Sequence, residues 1–490
     1  MKNALVSVYN KEELEDFIRF LISKGYKIYC TSGTYKYLIE KGLNVESIED
    51  LTGFKPTEDG RVKTLQPLIF KGILGRGDEN YDIYFDIVVV NLYPFEKEYS
   101  NFSSIEEMVE LIDIGGVSLL RAAAKNWERV TVINEISDYV LVKELLEQHN
   151  RVPIQVRKKL STKVFSYTSY YDSLISFKFF IDEDCIDYLS IAGKIEKELK
   201  YGENPSQIAR FYSSPIFNSR IEVINKKMLS YNNILDLDTG ISLIENFQKP
   251  VVAILKHTTP CGVARSKNTI EAYKEALDAD SLSAYGGVLV TNRTIDHDLA
   301  LLIKKHFYEL IAAPEITDSA IDLLKKKKRL RIVKFNDTTN NGLSIKTTKF
   351  GILYQKENEV KQEWRIVTKR KPDAEEMEAM KFAWKVVKWV KSNAIVVSSS
   401  NKTLGISGGQ TARIFAAMEA LERSKKFKSK VKVIASDGFL PFNDVVKQAY
   451  SYGITAVVQP GGSIRDQDSI EFCNNYGISM IFTNNRCFRH

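Results

Sequence analysis

The stretch Ile87-Val-Val-Val-Asn-Leu92 is a short, mainly apolar run that predicts a β-strand buried on both faces. Tyr26–Cys30 and Val130–Asn134 have the same character. Amphipathic stretches at Glu12–Lys24 and Ile105–Leu111 lie between these runs and predict helices. Strands that alternate with helices in this way indicate an α/β fold, with a parallel sheet covered by helices on both sides.

The same alternation resumes after a helical stretch over residues 145–180. Val251–Leu255 predicts a strand that is followed by a polar loop, a glycine and a helix, and Asn393–Val397 begins the same order. This recurrence indicates an internal repeat in the C-terminal part. We therefore predict three domains, at residues 1–190, 191–365 and 366–490.

The composition is ordinary for a globular protein, with 44% hydrophobic and 27% charged residues among 490. The net charge of +7, from 69 basic and 62 acidic residues, is mild for this length and suits phosphorylated or polycarboxylate substrates. The densest basic run, Lys325–Arg331, has no interleaved aromatic residues. It is typical of a solvated helix face or loop, and nucleic-acid binding is not expected.

Cysteine usage and the absence of long apolar runs indicate the compartment. Five cysteines are scattered without a Cys-x-x-Cys pair, as expected in a reducing environment without structural disulfides. The first ten residues turn polar too soon for a secretory signal, and no apolar run reaches the length of about 18 residues that a membrane span needs. We expect a cytoplasmic protein without membrane contact.

Loops of the first predicted domain contain candidate binding and catalytic residues. Thr31-Ser-Gly-Thr34 follows a predicted strand and precedes a helix, where backbone N–H groups and hydroxyls suit a phosphate. A plain helix cap is the alternative. Gly60-Arg-Val-Lys-Thr64 gathers two cations in one turn, although a surface turn has the same pattern. Asn91-Leu-Tyr-Pro-Phe95 follows the strongest strand, and Ile112-Asp-Ile-Gly-Gly116 places a carboxylate beside exposed backbone.

The C-terminal part contains one candidate catalytic pair, His257 and its neighbour Lys256, where a buried strand leaves the sheet. A histidine near pH 7 can accept a proton from an attacking amine, and an adjacent ammonium stabilises developing negative charge. A strand-end histidine beside a solvated lysine is the alternative. Pro260-Cys261 invites comparison with zinc-dependent deaminases, but Cys261 has no second cysteine at the spacing that such a zinc site needs.

Several strings together resemble the family of bifunctional purine-biosynthesis enzymes over nearly the whole chain. In the N-terminal domain they are Ser7–Lys11, Thr31–Thr34, Gly60–Thr64, Asn91–Phe95 and Ile112–Asn126. In the C-terminal part they are Lys200–Gln207, Leu229–Asn233, Ser283–Gly287, Val390–Ala394, Gly408–Arg413, Ser436–Phe442, Gln459–Asp466 and Phe488–His490. Many strings in the same order are far more specific than any single motif.

The resemblance implies two reactions, the last two steps of inosine monophosphate (IMP) biosynthesis. The C-terminal part would be a formyltransferase that moves a formyl group from 10-formyltetrahydrofolate to aminoimidazole carboxamide ribonucleotide (AICAR), giving FAICAR. The N-terminal domain would be a cyclohydrolase that closes FAICAR to IMP. The resemblance also implies a Rossmann-like, methylglyoxal synthase-like N-terminal domain, two cytidine deaminase-like subdomains without zinc, and a homodimer.

For ring closure, the resemblance implies a 5′-phosphate held by Ser7, Lys11, Thr31, Ser32, Gly33 and Thr34. The base would be surrounded by Arg61, Lys63, Thr64, Tyr93, Asp113, Gly115 and Lys125. Lys63 and the backbone near Gly115 would stabilise the oxyanion, and Tyr93 and Asp113 would handle protons.

For formyl transfer, the resemblance implies that His257 deprotonates the 5-amino group of AICAR and that Lys256 stabilises the formyl oxygen. The nucleotide would be held by Lys200, Tyr201, Asn233, Tyr285, Gly286, Arg413, Phe439 and Arg486. Asn393 and Asp444 would lie near the formyl group and the pterin.

Four positions depart from the family pattern. Gln66 and Phe70 stand where histidines are usual, which excludes an imidazole proton shuttle at those positions. Lys200 stands for an arginine and Ser206 for a histidine. The first two leave an alternative open, in which the N-terminal domain is only a nucleotide-binding regulatory module. A third hypothesis, a nucleic-acid-binding deaminase-like protein, predicts zinc and salt-sensitive binding to DNA or RNA.

Overall fold

The computed structural model describes residues 2–54, 64–179, 187–217, 220–336, 343–356 and 363–490. The chain divides into two compact units, Met1–Lys194 with Tyr212–Ile216, and Ile195–Phe211 with Phe217–His490. The α/β class is confirmed in each unit. The domain boundaries expected at residues 190 and 365 stay predictions. Within the described ranges, no helix combines the length and apolarity required to cross a bilayer.

The first unit is built on one parallel sheet. Its strands are β1 (Lys2–Val8), β2 (Tyr26–Cys30), β3 (Glu46–Ser47), β4 (Ile87–Asn91) and β5 (Thr131–Ile133). Its helices are α1 (Leu14–Ser23), α2 (Ser32–Glu40), α3 (Ile48–Thr52), α4 (Pro67–Leu74), α5 (Phe95–Glu98), α6 (Ile105–Glu110), α7 (Gly115–Lys125), α8 (Asp138–His149) and α9 (Ile154–Phe179). The three strands and two helices predicted from the apolar pattern of this region are confirmed.

The strand order of this sheet is β3-β2-β1-β4-β5, and all pairs are parallel. The strand at its centre, β1, was not predicted. Because the strands are parallel, their carboxyl ends share one edge of the sheet. The order of connection reverses between β1 and β4, which is the place where open α/β sheets bind ligands.

The second unit contains two mixed sheets. Strands β6 (Lys194–Glu198) and β7 (Arg210–Ser213) contain two of the three points where the chain passes between units. The first sheet has β8 (Ile221–Val223), β9 (Val251–Lys256), β10 (Thr259–Arg265), β11 (Gly287–Thr291), β12 (Tyr308–Ala313) and β13 (Arg331–Phe335). After a separate hairpin, β14 (Leu343–Thr348) with β15 (Gly351–Lys356), the second sheet has β16 (Arg365–Ile366), β17 (Ile395–Ser398), β18 (Thr403–Ser407), β19 (Val433–Ser436), β20 (Ala456–Gln459) and β21 (Ser479–Phe482).

These two sheets have the same strand order. The first is β10-β9-β11-β12-β13-β8 and the second is β18-β17-β19-β20-β21-β16. The helices of the first repeat are α10 (Tyr231–Ile244), α11 (Thr269–Ala279), α12 (His297–Ile303) and α13 (Asp318–Leu324). Those of the second are α14 (Ala374–Val387), α15 (Arg413–Ser424), α16 (Asp444–Ser451) and α17 (Asp466–Asn475). The predicted internal repeat is therefore confirmed.

Two glycines establish which positions of the repeats correspond. A Cβ atom on Gly262 would lie 2.0 Å from the carbonyl oxygen of Ala276 in α11, and one on Gly405 would lie 2.0 Å from that of Ala420 in α15. Each glycine thus allows a helix to pack directly on the edge strand of its repeat. Positions 143 residues apart, such as Gly262 and Gly405, therefore match along the hairpins β9–β10 and β17–β18.

One part of the repeat prediction was wrong. The segments interpreted as polar loops after Leu255 and Val397 contain the antiparallel strands β10 and β18. Polar and glycine residues interrupt the apolar pattern of both segments, and neither turn contains the Asn-Gly or Asp-Gly pair that marks a hairpin in sequence.

Candidate active sites

In the first unit, the predicted phosphate loop lies at the carboxyl edge of the sheet. Thr31 precedes the first residue of α2, and its hydroxyl donates to Ser7 Oγ at 3.1 Å. Thr34 Oγ1 accepts the N–H of Val8 at 3.1 Å and so ties the loop to the end of β1. The hydroxyls of Ser7, Thr31 and Thr34 therefore gather at the amino end of a nine-residue helix, with Gly33 in its first turn.

Two charged side chains border this loop. Lys11 Nζ donates to the carbonyl of Tyr9 at 3.2 Å and lies 6.0 Å from the centre of the Tyr37 ring. The Glu49 carboxylate accepts a hydrogen bond from the Ser32 hydroxyl. No sequence signal marked Glu49, which lies 17 residues after Ser32. A carboxylate at this place opposes the binding of an anion.

Tyr93 lies beyond the end of β4, next to Tyr9. Asn91 Oδ1 accepts the N–H groups of Tyr9 at 2.6 Å and Asn10 at 2.9 Å, which fixes the end of β1 against β4. The rings of Tyr9 and Tyr93 meet edge to face with centroids 5.7 Å apart. Burial raises the pKa of Tyr93, and the charges of Asp113 and Tyr9 raise it further. The phenol of Tyr93 therefore stays protonated at neutral pH.

Asp113 is held at the start of α7. Its Oδ1 accepts the N–H of Gly116 at 2.7 Å, and its own N–H donates to the hydroxyl of Tyr171 at 2.8 Å. A Cβ atom on Gly115 would lie 2.5 Å from Thr64 Oγ1, and one on Gly116 would lie 2.6 Å from Asp113 Oδ2. The two glycines thus allow Thr64 and Asp113 to approach the backbone of the first turn of α7.

Lys125 lies away from this cluster. It is the last residue of α7, ten residues after Gly115, which is about 15 Å along the helix axis. The carbonyl of neighbouring Ala124 bonds to Ser161 on α9, whereas Asp113 bonds to Tyr171, at the other end of the contact between the two helices. Within one chain, the structure does not bring Lys125 to Tyr93 and Asp113.

Four other positions singled out in the sequence of the first unit lie within residues 61–70. Arg61 and Lys63 lie outside the described residues. Gln66 immediately precedes α4, and Phe70 packs against the apolar core of the unit.

In the second unit, His257 lies in a two-residue turn. Lys256 at the end of β9 pairs with Thr259 at the start of β10, so His257 and Thr258 alone connect the strands. Their φ angles are 55° and 61°, the left-handed values of a type I′ turn. Glycine and asparagine normally occupy such positions, because other residues incur a steric cost of roughly 1–2 kcal/mol each. Strained backbone of this kind is concentrated at functional sites.

A side chain and a backbone carbonyl from two other segments bind this turn and the lysine beside it. The Thr258 N–H donates to Asp236 Oδ1 on α10 at 2.5 Å, and the Thr258 hydroxyl donates to the His257 carbonyl at 2.7 Å. Lys256 Nζ donates to the Tyr285 carbonyl at 3.0 Å. Asp236 was not predicted from the sequence. Its pKa is raised by burial and by Glu309, against the effects of the Thr258 amide, His257 and Lys391.

Asn233 caps the helix that carries Asp236. It forms a reciprocal capping box with Ser230 at the start of α10, and its Nδ2 donates to Glu309 on β12 at 3.3 Å. The carboxylate of Glu309 thus contacts Asn233 and is close enough to Asp236 to raise its pKa. Glu309 is a further candidate that no sequence signal indicated, because the contact depends on the packing of α10 against the sheet.

The loops around these groups contain other predicted residues. The Lys200 N–H donates to the Leu229 carbonyl at 2.8 Å, and its Nζ lies 5.1 Å from the Tyr201 ring centre. Tyr285 is 67% exposed and packs against Phe307 with ring centroids 5.1 Å apart. Gly286 has a φ of 75°, and its N–H donates to the Phe307 carbonyl at 2.8 Å.

A second group of predicted residues centres on Arg413. Its side chain is buried and forms an ion pair with Asp437, and its Nη2 donates to Asn393 Oδ1 at 2.7 Å. This guanidinium is thus engaged with the protein, rather than open to a phosphate. Arg486 is exposed and lies 4.9 Å from the Phe488 ring centre. Phe439 is exposed as well, and Asp444 is the first residue of α16.

Comparisons with known proteins decide the family. The chain matches the family described as AICARFT/IMPCHase bienzyme over residues 123–423 and the MGS-like domain over residues 13–118. It is 45% identical over 503 aligned positions to the bifunctional purine biosynthesis protein PurH of Clostridium botulinum strain Eklund 17B, with 100% of each chain covered. The chain belongs to the AICARFT/IMPCHase bienzyme family.

Other bienzymes match along their full length. The PurH proteins of Clostridium beijerinckii and Caldicellulosiruptor saccharolyticus are 45% and 44% identical to the chain, each with 100% of both chains covered. The predicted membership and the two enzyme activities of a bienzyme are confirmed, and the MGS-like match confirms the predicted fold of the first unit. A purely regulatory N-terminal domain is not favoured.

Proposed function

We propose that the chain carries out formyl transfer at the His257 turn and ring closure at the carboxyl edge of the first unit. The observation that supports formyl transfer most strongly is the presentation of His257 on a left-handed two-residue turn, directly beside Lys256. A structural histidine at a strand end does not require this strained backbone. A catalytic histidine gains from it, since the backbone holds the imidazole clear of both strands.

Formyl transfer follows from these groups by general base catalysis. The 5-amino nitrogen of AICAR attacks the formyl carbon of a reduced folate, which we propose is 10-formyltetrahydrofolate. His257 accepts the proton that this nitrogen loses, and Lys256 stabilises the negative charge on the formyl oxygen. The bond between the formyl carbon and the folate nitrogen then breaks, and that nitrogen takes up a proton as FAICAR forms.

Substrate binding is assigned to the loops around the turn. We place the nucleotide on Lys200, Tyr201, Asn233, Tyr285, Gly286, Phe439 and Arg486, with Asn393 and Asp444 toward the formyl group and the pterin. Arg486 is the cation best suited to the phosphate, because its exposed guanidinium can bind two oxygens at once. Arg413 acts indirectly, by orienting Asn393 through their hydrogen bond.

Ring closure is assigned to the cluster of Thr64, Tyr93, Asp113 and Gly115. The carboxamide nitrogen of FAICAR attacks its formyl carbon, and water leaves from the tetrahedral intermediate. Tyr93, whose phenol stays protonated at neutral pH, supplies a proton to the departing oxygen. Asp113 accepts a proton from the amide nitrogen. The 5′-phosphate binds at Ser7, Lys11, Thr31, Ser32, Gly33 and Thr34, and this anchoring holds the reacting groups together.

Assembly and location complete the proposal. We propose a homodimer in which a second copy adds residues to the formyltransferase site, and we place the protein in the cytoplasm. Sedimentation of the purified chain tests the dimer. A monomer that retains full formyl transfer would contradict it.

The reaction is tested by mixing the purified chain with AICAR and 10-formyltetrahydrofolate and identifying the product by mass. IMP is the expected product. FAICAR that accumulates unclosed would instead support a regulatory N-terminal domain. No product would contradict the assignment of formyl transfer from this donor. Tyr93→Phe is expected to slow closure of added FAICAR by about 100-fold, as for loss of a general acid.

A further inference from the structure

The His257–Thr258 turn needs support from outside the hairpin. Both residues have left-handed φ angles, and Thr258 is β-branched, a type of side chain that disfavours this conformation. Alternative backbone arrangements would turn the imidazole away from the place that catalysis requires. Some group must therefore make the observed conformation the preferred one.

Asp236 is placed to supply this support. It is a buried residue of α10, and its Oδ1 accepts the N–H of Thr258, the second residue of the turn, at 2.5 Å. Gly240, one helical turn further along, allows α10 to approach the sheet. A Cβ atom at Gly240 would lie 2.6 Å from Val290 Cγ2 and 3.0 Å from Leu255 Cδ1. The close packing of α10 brings the Asp236 carboxylate within hydrogen-bond distance of the turn.

The second repeat provides an internal comparison. The capping boxes Ser230–Asn233 of α10 and Asp373–Glu376 of α14 are 143 residues apart, so the two helices correspond. Ala379 then stands in the place of Asp236, and Ala383 in the place of Gly240. The turn of that repeat, Ser399–Lys402, corresponds to Lys256–Thr259 and has the same length, but none of its residues has a positive φ. The carboxylate and the left-handed turn occur together in one repeat and are both missing from the other.

We propose that Asp236 is a positioning residue for formyl transfer, whose carboxylate holds the His257–Thr258 turn in the conformation that presents the imidazole. The inference rests on the proposed role of His257 as the base. Asp236 does not touch the reacting atoms in this account. It acts through the backbone N–H of Thr258.

A double-mutant cycle tests this role. Asp236→Ala is expected to lower kcat for formyl transfer by about 30-fold with little change in the KM for AICAR, because the imidazole is misplaced rather than removed. Thr258→Gly relieves the steric need for support, since glycine adopts left-handed φ angles readily. In the Thr258→Gly background, Asp236→Ala should therefore cost less than about threefold in kcat.

The cycle has clear contrary outcomes. A wild-type kcat in Asp236→Ala would overturn the proposal. So would an Asp236→Ala substitution that lowers kcat by the same factor in the wild-type chain and in Thr258→Gly. Asp236→Asn keeps an oxygen that accepts the Thr258 N–H, and it should retain at least about a fifth of wild-type kcat. A loss in Asp236→Asn as large as in Asp236→Ala would overturn the proposal even if the alanine variant folds poorly.

Two further measurements separate the possible failures. The melting temperature reports folding in every variant. His257→Ala tests the proposed function itself. An active His257→Ala variant would contradict the base, whereas an inactive His257→Ala with a fully active Asp236→Ala would contradict only the role of Asp236.

Discussion

The hairpins β9–β10 and β17–β18 occupy the same place in two sheets of identical strand order, but their turns differ. The first turn has two residues with left-handed backbone, and it is supported by a carboxylate from α10. The second, Ser399–Lys402, has the same length but no left-handed residue, and its Ser399 N–H donates to the Lys402 carbonyl at 2.9 Å. The turn of the first repeat presents a histidine, whereas the turn of the second is an ordinary connection.

The second turn serves instead to join the repeats. The Arg265 N–H donates to the Asn401 carbonyl at 2.8 Å, and the Arg265 guanidinium donates to the Ser400 carbonyl at 2.8 Å. Lys402 forms ion pairs with Glu275 at 2.6 Å and Asp278 at 3.1 Å, both near the end of α11. The comparison teaches that a repeated scaffold can keep its sheet and helices while one turn becomes a catalytic group and the other a structural contact.

The largest difference in kcat for formyl transfer is expected between substitution of Lys256 and substitution of its counterpart Ser399. Lys256→Met removes the proposed stabilisation of the formyl oxygen and should lower kcat for formyl transfer by about 100- to 1000-fold. Ser399→Ala should change it less than about twofold, because the second turn is only structural in this account. Steady-state kinetics of the two variants check the contrast, and similar losses in both would break it.

The shared scaffold predicts equal effects of glycine substitution. Gly262→Ala and Gly405→Ala each place a methyl group 2.0 Å from a helix carbonyl oxygen. Each should destabilise the second unit by about 3 kcal/mol, since the helix must move off its strand. Denaturant unfolding of both variants measures the effect. A difference above about 2 kcal/mol between them would show that the repeats are not packed alike.

The helix caps should give the repeats different pH dependence. Burial acts to raise the pKa of Glu376, but hydrogen bonds from Arg370, Thr455 and the Asp373 backbone outweigh it, so the pKa lies below its usual 4.5. The stabilisation is therefore present above about pH 4.5 and is lost as the pH falls through the lowered value. Glu376→Gln should cost about 1–2 kcal/mol at pH 7 and less at pH 3.

The matching change in the first repeat, Asn233→Asp, serves as the control for this experiment. It introduces a charge beside Glu309, and it should lower stability at pH 7 rather than at pH 3 by like-charge repulsion. If Glu376→Gln lowers the free energy of unfolding equally at pH 7 and pH 3, the assigned role of the Glu376 carboxylate is contradicted.

The smallest effect is expected from the charge of Asp236. Burial raises the pKa of Asp236, so the folded protein binds this proton more tightly than the unfolded chain does. The ionised carboxylate therefore reduces stability at pH values above its ordinary pKa. Asp236→Asn should raise the melting temperature at pH 7.5 by a small amount, on the order of 2 °C, and the gain should vanish in acid. A lower melting temperature at pH 7.5 would contradict this sign.

Parts of the fold were predictable because their signal is local. Tyr26–Cys30 matches β2, and the apolar run from Ile87 ends one residue beyond β4. The carboxyl ends of parallel strands meet at one edge, so the loops at Thr31 and Asn91 could be placed together before the structure was known. By contrast, Lys2 and Asn3 obscured β1, the central strand.

The missed features depend on contacts between distant segments. The His-Thr pair is not a sequence signal for a tight turn, and only the packing of α10 brings Asp236 and Glu309 toward it. Lys125 is close to Asp113 in sequence, but it is the last residue of α7, whereas Asp113 precedes that helix. Its role in ring closure stays a prediction.

The central claim is that formyl transfer resides at the His257 turn while ring closure resides in the other unit. The most direct test supplies His257→Ala with AICAR and 10-formyltetrahydrofolate in one assay and with FAICAR in another, and follows IMP by mass. We expect a loss of at least about 100-fold from AICAR and closure of FAICAR at the wild-type rate. IMP formed from AICAR at the wild-type rate, or a loss of closure as large as the loss of transfer, would contradict the account.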